Sequence, residues 1–193
     1  MKAITIKQPW ASLIVHGIKD VENRTWKCPK KYIGQRILIH AGKSSANFWD
    51  YPVARQVDEF IRQISKSGTD WSQYPFGAII GSVEIKDCVI NHSSIWAEKT
   101  ENYTIGMNPK LHEEITGKKV IYNWVLANPI LFPEPIPYKG KLSFWEYPCI
   151  PEPEFDEDGH MICQCTMNVD EKNQVVHMID HFKCRYCGGR WYK

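Results

Sequence analysis

The chain lacks a long apolar run, an internal repeat and a large net charge. Its 193 residues contain no segment approaching eighteen apolar residues, and the N-terminus has no apolar region of the kind found in signal peptides. These absences argue against a transmembrane helix, a secreted protein and a repeat architecture. We therefore expect a soluble cytoplasmic protein without a membrane partner, in which one ordinary domain is followed by a small appendage.

The net charge of +2 is unevenly distributed along the chain. Residues 1–43 contain nine Lys and Arg against two acids, residues 152–158 contain five acids, and the last eleven residues contain four Lys and Arg. Two basic ends separated by an acidic segment suit contact with a phosphate backbone. Solvated lysines on the surface of any domain would give the same count.

The segment from Lys7 to Trp26 carries most of the information. Alternating Ile4 and Ile6 predict a first strand, Pro9 ends it, and residues 10–14 have the apolar spacing of a short helix. Gly17 is placed to end that helix, because glycine accepts the left-handed conformation that other residues resist. The chain should then reverse and continue as an extended segment.

Strand periodicity places Glu22, Arg24 and Trp26 on one face of that extended segment. Lys19 has the opposite parity, so it joins them only if the turn extends to about Asp20 or if a bulge intervenes. An ammonium, a carboxylate, a guanidinium and indoles beside a turn can hydrogen-bond a nucleobase and stack on it. The alternative is a surface strand with solvated charges and tryptophans that belong to the core.

These residues resemble the signature of the ASCH domain, a family named for its similarity to activating signal cointegrator 1. The resemblance rests on residues 8–14 (QPWASLI) and on the spacing Gly17-x-Lys19-x-x-Glu22-x-Arg24-x-Trp26. Residues 34–43, 77–84, 122–129 and 137–140 fit it as well, so that the match spans roughly residues 1–148. The resemblance implies an α/β (α+β) fold, namely a PUA-like β-barrel with flanking helices, a cleft beside the Gly-x-Lys turn, and binding of RNA or another nucleic acid.

The rest of this segment predicts further elements of the barrel. Residues 36–40 indicate a buried strand, with residues 41–43 as the turn that leaves it, and residues 53–66 have the spacing of an amphipathic helix. Residues 77–89 are apolar and β-branched, which favours a central strand. Residues 91–117 are polar and irregular, and we expect short helices and part of the cleft rim there.

The second half of the barrel is rich in proline. Residues 120–126 and 130–131 predict two strands, and six prolines follow between Pro129 and Pro151. Because this density excludes a helix and a central ladder, the chain should run there as an edge or a covering segment. Residues 140–148 should close the barrel, and residues 149–159 form an acidic, proline-containing linker.

Four of the seven cysteines lie in the last thirty-one residues, at Cys163, Cys165, Cys184 and Cys187. Two short-spaced thiol pairs can hold a structural zinc ion in tetrahedral geometry, as in the zinc ribbons that residues 160–193 resemble. His177 and His181 are alternates for the tighter first pair. A disulfide tail and free thiols are the competing interpretations; a reducing compartment argues against the former. We expect the other three cysteines, Cys28, Cys88 and Cys149, to be buried and chemically inert thiols.

An enzyme is the main alternative, with Lys19 and Glu22 as its catalytic residues. A compact bacterial branch of the ASCH family consists of N4-acetylcytidine amidohydrolases, but that branch carries threonine where Glu22 stands and uses a further glutamate, for which Glu84 is a candidate. Glu22 should raise the pKa of Lys19 and so oppose a nucleophilic role. A ribonuclease using His40 and Lys43 is a further alternative, although a lone histidine on an apolar strand is more often part of the core.

Nucleic-acid binding, to RNA before DNA, is the function that the sequence favours, with a small nucleoside as an additional ligand. A protein-interaction adaptor that docks through the ribbon is the third possibility. The ligand-binding residues that we predict are Gln8, Trp10, Lys19, Glu22, Arg24, Trp26, His40 and Lys43.

Overall fold

The computed structural model describes residues 1–49, 51–64 and 74–148, together with the backbone of four two-residue strands further on; of residues 61, 63 and 64 it describes the backbone alone. The elements up to residue 148 are β1 (Lys2–Gln8), α1 (Trp10–Val15), β2 (Val21–Arg24), a 3₁₀ turn (Lys30–Tyr32), β3 (Arg36–Ser45), α2 (Ala54–Ile64), β4 (Ala78–Ile90), α3 (Pro109–Thr116), β5 (Tyr122–Pro137) and β6 (Phe144–Glu146). The short strands are β7 (Glu154–Phe155), β8 (Met161–Ile162), β9 (Ile179–Asp180) and β10 (Lys183–Cys184), of which β7 pairs with β8 and β9 with β10.

The main sheet has six strands in the order β2-β5-β4-β3-β1-β6. β1 runs parallel to β3, and every other neighbouring pair in this sheet is antiparallel. The sheet curls, and its two ends meet through aromatic rings. Phe144 on β6 stacks on Trp124 of β5, with 5.2 Å between ring centroids, and lies 5.7 Å from Trp26, just beyond β2. The mixed α/β fold with a barrel-like sheet and few helices is as expected, and β4 is a central strand as predicted.

Helix α1 ends where the sequence predicted. Gly17 has φ +77°, its N–H donates to the Ile14 carbonyl, and the Ile18 N–H donates to the Leu13 carbonyl. These two bonds form a Schellman motif, which satisfies the free carbonyls at the end of the helix. Strand β2 then begins at Val21, so the turn extends to Asp20 and Lys19 lies within it.

Gly81 lets α1 lie directly on the sheet. A Cβ atom at this position of β4 would lie 2.6 Å from Cγ1 of Val15 on α1 and 2.3 Å from the Ile130 carbonyl oxygen. Only glycine fits under the helix at this point. The contact fixes α1, and therefore the turn after it, against the centre of the sheet.

Two expectations about the strands need correction, and a third is confirmed. Residues 41–43 do not form a turn, since β3 continues to Ser45. The two strands predicted near residues 120–131 are one strand, β5, which continues through Asn128 at φ +48° and pairs with β4 along most of its length. Four of the six prolines lie inside β5, where only Tyr122–Val125 also pairs with β2. Beyond that stretch β5 has one strand neighbour among the described residues, so these prolines lie on an edge, as expected.

The core is divided between the sheet and helix α2. Apolar residues of β1, α1, β3, β4 and β5 form the larger cluster, while Val57 and Phe60 of α2 pack with Phe48 and Trp96 in a second cluster. Helix α2 lies within the predicted range of residues 53–66, and α3 falls in the irregular segment as expected. Among the described residues, none of the helices is long and apolar enough to cross a membrane.

Candidate functional site

One open cleft of about 950 Å³ lies where the turn after α1, the start of β2 and the end of β3 come together. Two loops complete it: one before α3, around Trp96, and one between β5 and β6, around Leu142. Its lining consists of residues 5–7, 10, 19, 22–24, 42–47, 51–53, 95–99 and 141–143. Six Lys and Arg line the cleft against two carboxylates, which gives it an excess of positive charge.

The floor of the cleft is formed by Lys19, Glu22 and Arg24, which we call the floor triad. The Lys19 ammonium lies 3.4 Å from Glu22 Oε2 and also donates to the Val21 carbonyl. The Arg24 Nε lies 3.0 Å from Glu22 Oε1, which makes an ion pair, but the geometry does not allow a hydrogen bond between these two atoms. The Arg24 Nη2 donates a hydrogen bond to the Thr5 carbonyl at 3.0 Å. The three predicted charges therefore share one hollow.

Burial lowers the pKa of Lys19. Its side chain is only 5% exposed, and the loss of hydration disfavours the ammonium more than the Glu22 carboxylate stabilises it. Glu22 raises this pKa, as expected, but burial lowers it by more, so the net rise that we expected is wrong. The sequence indicated the charge partner correctly, but it could not indicate how deeply the lysine is buried.

Three aromatic side chains form one wall above the floor triad. Trp10 makes edge contacts with Tyr51, at 5.4 Å between ring centroids, and with Trp96, at 6.4 Å. The Lys19 ammonium lies 5.9 Å from the centre of the Trp10 ring, close enough for a cation–π contact. Trp10 is thus both a predicted site residue and a link between the floor and the wall.

A buried amide that the sequence analysis missed holds the Trp96 loop in position. Asn123 on β5 is fully buried, and its Nδ2 donates to Asn23 Oδ1 on β2 and to the Glu98 carbonyl. Asn23 in turn donates to the Trp96 carbonyl at 2.9 Å and accepts from the Glu98 N–H. The network fixes the loop that carries Trp96 and Glu98 over β2. Asparagine alone carries no sequence signal for this role.

Three predicted site residues lie outside the cleft lining. Gln8 is buried, where its Oε1 accepts from the Ser12 N–H and its Nε2 donates to the Pro75 carbonyl. Trp26 packs against Trp124 at 4.6 Å, as the core alternative proposed. These side chains are used to build the fold, because each finds its partners in the interior.

His40 is the third residue that the cleft does not include. Its ring is buried beside Trp145 and its Nε2 hydrogen-bonds to the Tyr138 carbonyl at 3.0 Å. Burial lowers its pKa. Lys43 does line the cleft as predicted, and the sequence analysis missed Lys7, Lys99, Lys141 and Glu98 in the same lining.

Glu84, the candidate for a second catalytic carboxylate, is also outside the lining. Its Oε1 lies 3.2 Å from Arg36 Nη2, and its Oε2 pairs with Lys86 at 2.7 Å and accepts from Asn128 at 2.9 Å. β4 and β5 hold this group away from the floor triad. In the cleft itself Glu98 is the second carboxylate.

The cysteines divide into described and undescribed sets. Cys28 and Cys88 are free thiols, and burial raises the pKa of Cys28 to about 12, in agreement with an inert thiol. The predicted zinc ligands Cys163, Cys165 and Cys187, with the alternates His177 and His181, lie outside the described residues, as does Cys149. Cys184 is described only as backbone of β10.

The ASCH domain family model matches residues 4–136 of this chain. Activating signal cointegrator 1 of Mus musculus and that of Homo sapiens are each 32% identical to it over 90 residues, which is 45% of this chain. The matched stretch spans only 14% of the length of those relatives.

Among solved structures, the crystal structure of ASCH from Zymomonas mobilis aligns with a TM-score of 0.44 and 15% identity over 76% of this chain and 87% of the other. A tyrosine-to-phenylalanine variant of that protein aligns with a TM-score of 0.38 and 18% identity over 70% and 73%.

Proposed function

Because the chain belongs to the ASCH domain family, whose PUA-like fold is associated with RNA binding, we propose that its cleft receives one nucleobase of an RNA strand. The observation that carries this proposal is the floor triad beneath the Trp10 indole. An ammonium, a carboxylate and a guanidinium stand side by side at the bottom of a cleft that is open to solvent.

The floor triad offers both kinds of hydrogen-bonding partner that a base edge requires. Glu22 accepts from an exocyclic amino group, while Lys19 and Arg24 donate to a base carbonyl or a phosphate. Trp10 supplies a stacking surface in the same cleft, and sequence-specific RNA recognition commonly combines base stacking with hydrogen bonds to base edges. The edge contacts of Trp10 with Tyr51 and Trp96 support a rigid position for this ring.

Affinity for RNA should depend strongly on salt. The cleft lining has a positive excess, and each phosphate neutralised by Lys or Arg releases counterions, so that affinity falls as salt concentration rises. Filter binding with single-stranded RNA at low and moderate salt measures this directly, with the same sequence as DNA in parallel. An RNA affinity that does not change with salt would contradict the electrostatic part of the proposal.

The stacking role is tested by two tryptophan variants. Trp10→Leu should weaken binding of single-stranded RNA about tenfold, since stacking on one base contributes roughly 1–3 kcal/mol. Trp49→Leu is the matched control, because Trp49 is 62% exposed and lies outside the cleft lining. Fluorescence anisotropy gives both affinities, and circular dichroism shows that each variant is folded. Equal affinities of the two variants would exclude base stacking on Trp10.

The lowered pKa of Lys19 favours one second candidate, an amidohydrolase that acts on a modified nucleoside. A lysine that loses its proton more easily can act as a base or nucleophile. In this candidate Glu98 is the second carboxylate in reach of the cleft. Incubation of the purified protein with N4-acetylcytidine separates the candidates: turnover abolished by Lys19→Ala favours the enzyme, while binding without turnover favours the recognition module.

The C-terminal segment is the subject of a separate proposal, a structural zinc ion held by Cys163, Cys165, Cys184 and Cys187. Four thiolates leave no open position on zinc, so the ion would stabilise the segment. Elemental analysis of the purified protein should find one zinc per chain, and Cys187→Ser should reduce it. A purified protein that contains no zinc, and that is as stable as its Cys187→Ser variant, would contradict this proposal.

A further inference from the structure

A second wall of the cleft contains a β-bulge. On β1, Ile6 and Gln8 are two residues apart, whereas their partners on β3, Ala41 and Ser45, are four apart. Two extra residues are thus accommodated in β3, and β4 pairs with β3 no further than Ala41. Bulges of this kind re-aim side chains and are common beside functional sites.

The bulge places three consecutive polar side chains in the cleft. In a regular strand successive side chains point to opposite faces, but here Lys43, Ser44 and Ser45 are all exposed and all line the cleft. The aliphatic part of Lys43 passes over Gly77, where a Cβ would lie 3.5 Å from its Cε. Across the bulge on β1, Lys7 is also exposed and lines the same cleft.

The loop between β5 and β6 brings a third lysine to this wall. Thr5 Oγ1 on β1 donates to the Lys141 carbonyl at 2.9 Å and accepts from the Trp145 Nε1 at 3.3 Å. The carbonyl of Thr5 accepts from Arg24 of the floor triad. The backbone of Lys141 is therefore held next to the floor, and its side chain lines the cleft.

Lys7, Lys43 and Lys141 differ from the cations of the floor triad because they have no charge partner in the part of the chain that the structure describes. Lys19 and Arg24 both pair with Glu22, whereas none of these three lysines forms an ion pair with a carboxylate among the described residues. Converging cations without a partner repel one another, so an anion with several oxygens stabilises such an arrangement. The two serine hydroxyls beside them can donate to the same anion.

We propose that this wall is a phosphate subsite and that the ligand of the cleft is therefore a phosphorylated nucleoside, as a unit of RNA or as a free nucleotide, in preference to a nucleoside without phosphate. The identity of the base end rests on the proposed function; the phosphate end rests on the bulge and the three lysines alone. The phosphate of the nucleotide lies against Lys43 and Ser44 while the base lies against Trp10.

Inorganic phosphate tests the subsite without any assumption about the base. In ¹H–¹⁵N spectra of the full chain, phosphate should shift the amide signals of residues 42–45 saturably, and Lys43→Gln should abolish the effect. Lys139→Gln is the matched control, since Lys139 is exposed on the same loop as Lys141 but lies outside the cleft lining. Shifts that are absent, or that the two variants reduce equally, would overturn the subsite.

Nucleosides and their monophosphates then test the ligand class. For the base that binds best, the 5′- or 3′-monophosphate should bind about tenfold more tightly than the nucleoside. The reason is that the phosphate forms charge-assisted hydrogen bonds with the lysines, which are stronger than hydrogen bonds between neutral groups. Lys43→Gln should remove most of that tenfold difference, whereas the control Lys139→Gln should keep it.

The two proposals fail in different ways. If nucleoside and monophosphate bind equally and RNA still binds, the phosphate subsite is wrong and base recognition stands. If phosphate shifts residues 42–45 while no nucleotide or RNA binds, the subsite stands and the proposed function is wrong.

Discussion

Two clusters in this molecule have the same composition but different environments. Glu22 in the cleft and Glu84 on the sheet are each flanked by two cations, Lys19 with Arg24 and Arg36 with Lys86. Lys19 is 5% exposed, whereas Lys86 is 50% exposed. Burial lowers the pKa of Lys19, while the hydrogen bond from Lys86 is the main cause that lowers the pKa of Glu84.

The comparison teaches that charge pattern alone does not mark a site. At Glu84 the lysine partner, Lys86, is half exposed, and an ion pair with a hydrated lysine contributes little. At Glu22 the lysine and the carboxylate are desolvated beside a cleft, where a hydrogen bond is stronger and a buried group left without a partner costs more. The difference can be tested by changing matched residues in the two clusters.

The largest expected difference is in stability. Glu22→Gln leaves the buried Lys19 without its countercharge and should lower the free energy of unfolding by about 3 kcal/mol. Glu84→Gln should lower it by no more than about 1 kcal/mol, because Lys86, which forms the shorter of its two ion pairs, is 50% exposed. Urea unfolding of the two variants measures both values. Equal losses would mean that burial does not distinguish the clusters.

The next difference is in RNA affinity. Lys19→Met should weaken RNA binding about tenfold, because one charge-assisted hydrogen bond to the ligand is lost. Lys86→Met should leave affinity unchanged, since Lys86 pairs with Glu84 outside the cleft. Anisotropy titrations at one salt concentration provide the comparison. A loss of affinity in both variants would indicate that RNA is attracted to positive charge anywhere on the surface, without a specific binding site in the cleft.

The smallest expected difference is in the pH dependence of stability. The pKa of Lys19 is lowered from 10.5, so between the folded pKa and 10.5 the unfolded chain binds more protons and stability rises with pH. The wild-type protein should therefore gain stability relative to Lys19→Met as pH rises through this window, by at most about 1.4 kcal/mol per pH unit.

Glu84 affects the pH dependence of stability at acidic pH. Its pKa is lowered from 4.5, so its stabilising contribution is present above 4.5 and is lost as pH falls through the folded pKa. The advantage of wild type over Glu84→Gln should therefore disappear in acid. Unfolding free energies measured across both windows check the two signs, and a Lys19 effect of the opposite sign would show that Glu22 outweighs burial.

Several features of this molecule were predictable because their causes are local. The Schellman motif at Gly17 involves residues 13–18, and it places Lys19 at a turn that ends at Asp20. The amphipathic spacing of α2 and the apolar composition of β4 likewise identified those elements. Short-range geometry and periodicity contain enough information for such predictions.

Other features depended on contacts that no local pattern encodes. No local pattern separates Trp10, which lines the cleft, from Trp26, which packs on Trp124. The same holds for Asn123, whose partner Asn23 is 100 residues away. Burial arises from the packing of distant segments, so residues of the same type acquire different roles.

The sequence by itself determined the turn at Gly17, the family to which the chain belongs and the approach of Lys19, Glu22 and Arg24 to one another, because all of these follow from residues close together in the chain. Only the tertiary structure decided that Gln8 and His40 are interior, that Lys7 and Lys141 share the cleft with Lys43, and that Lys19 is desolvated. These outcomes depend on how the curled sheet and its loops exclude water, which is a property of the whole fold.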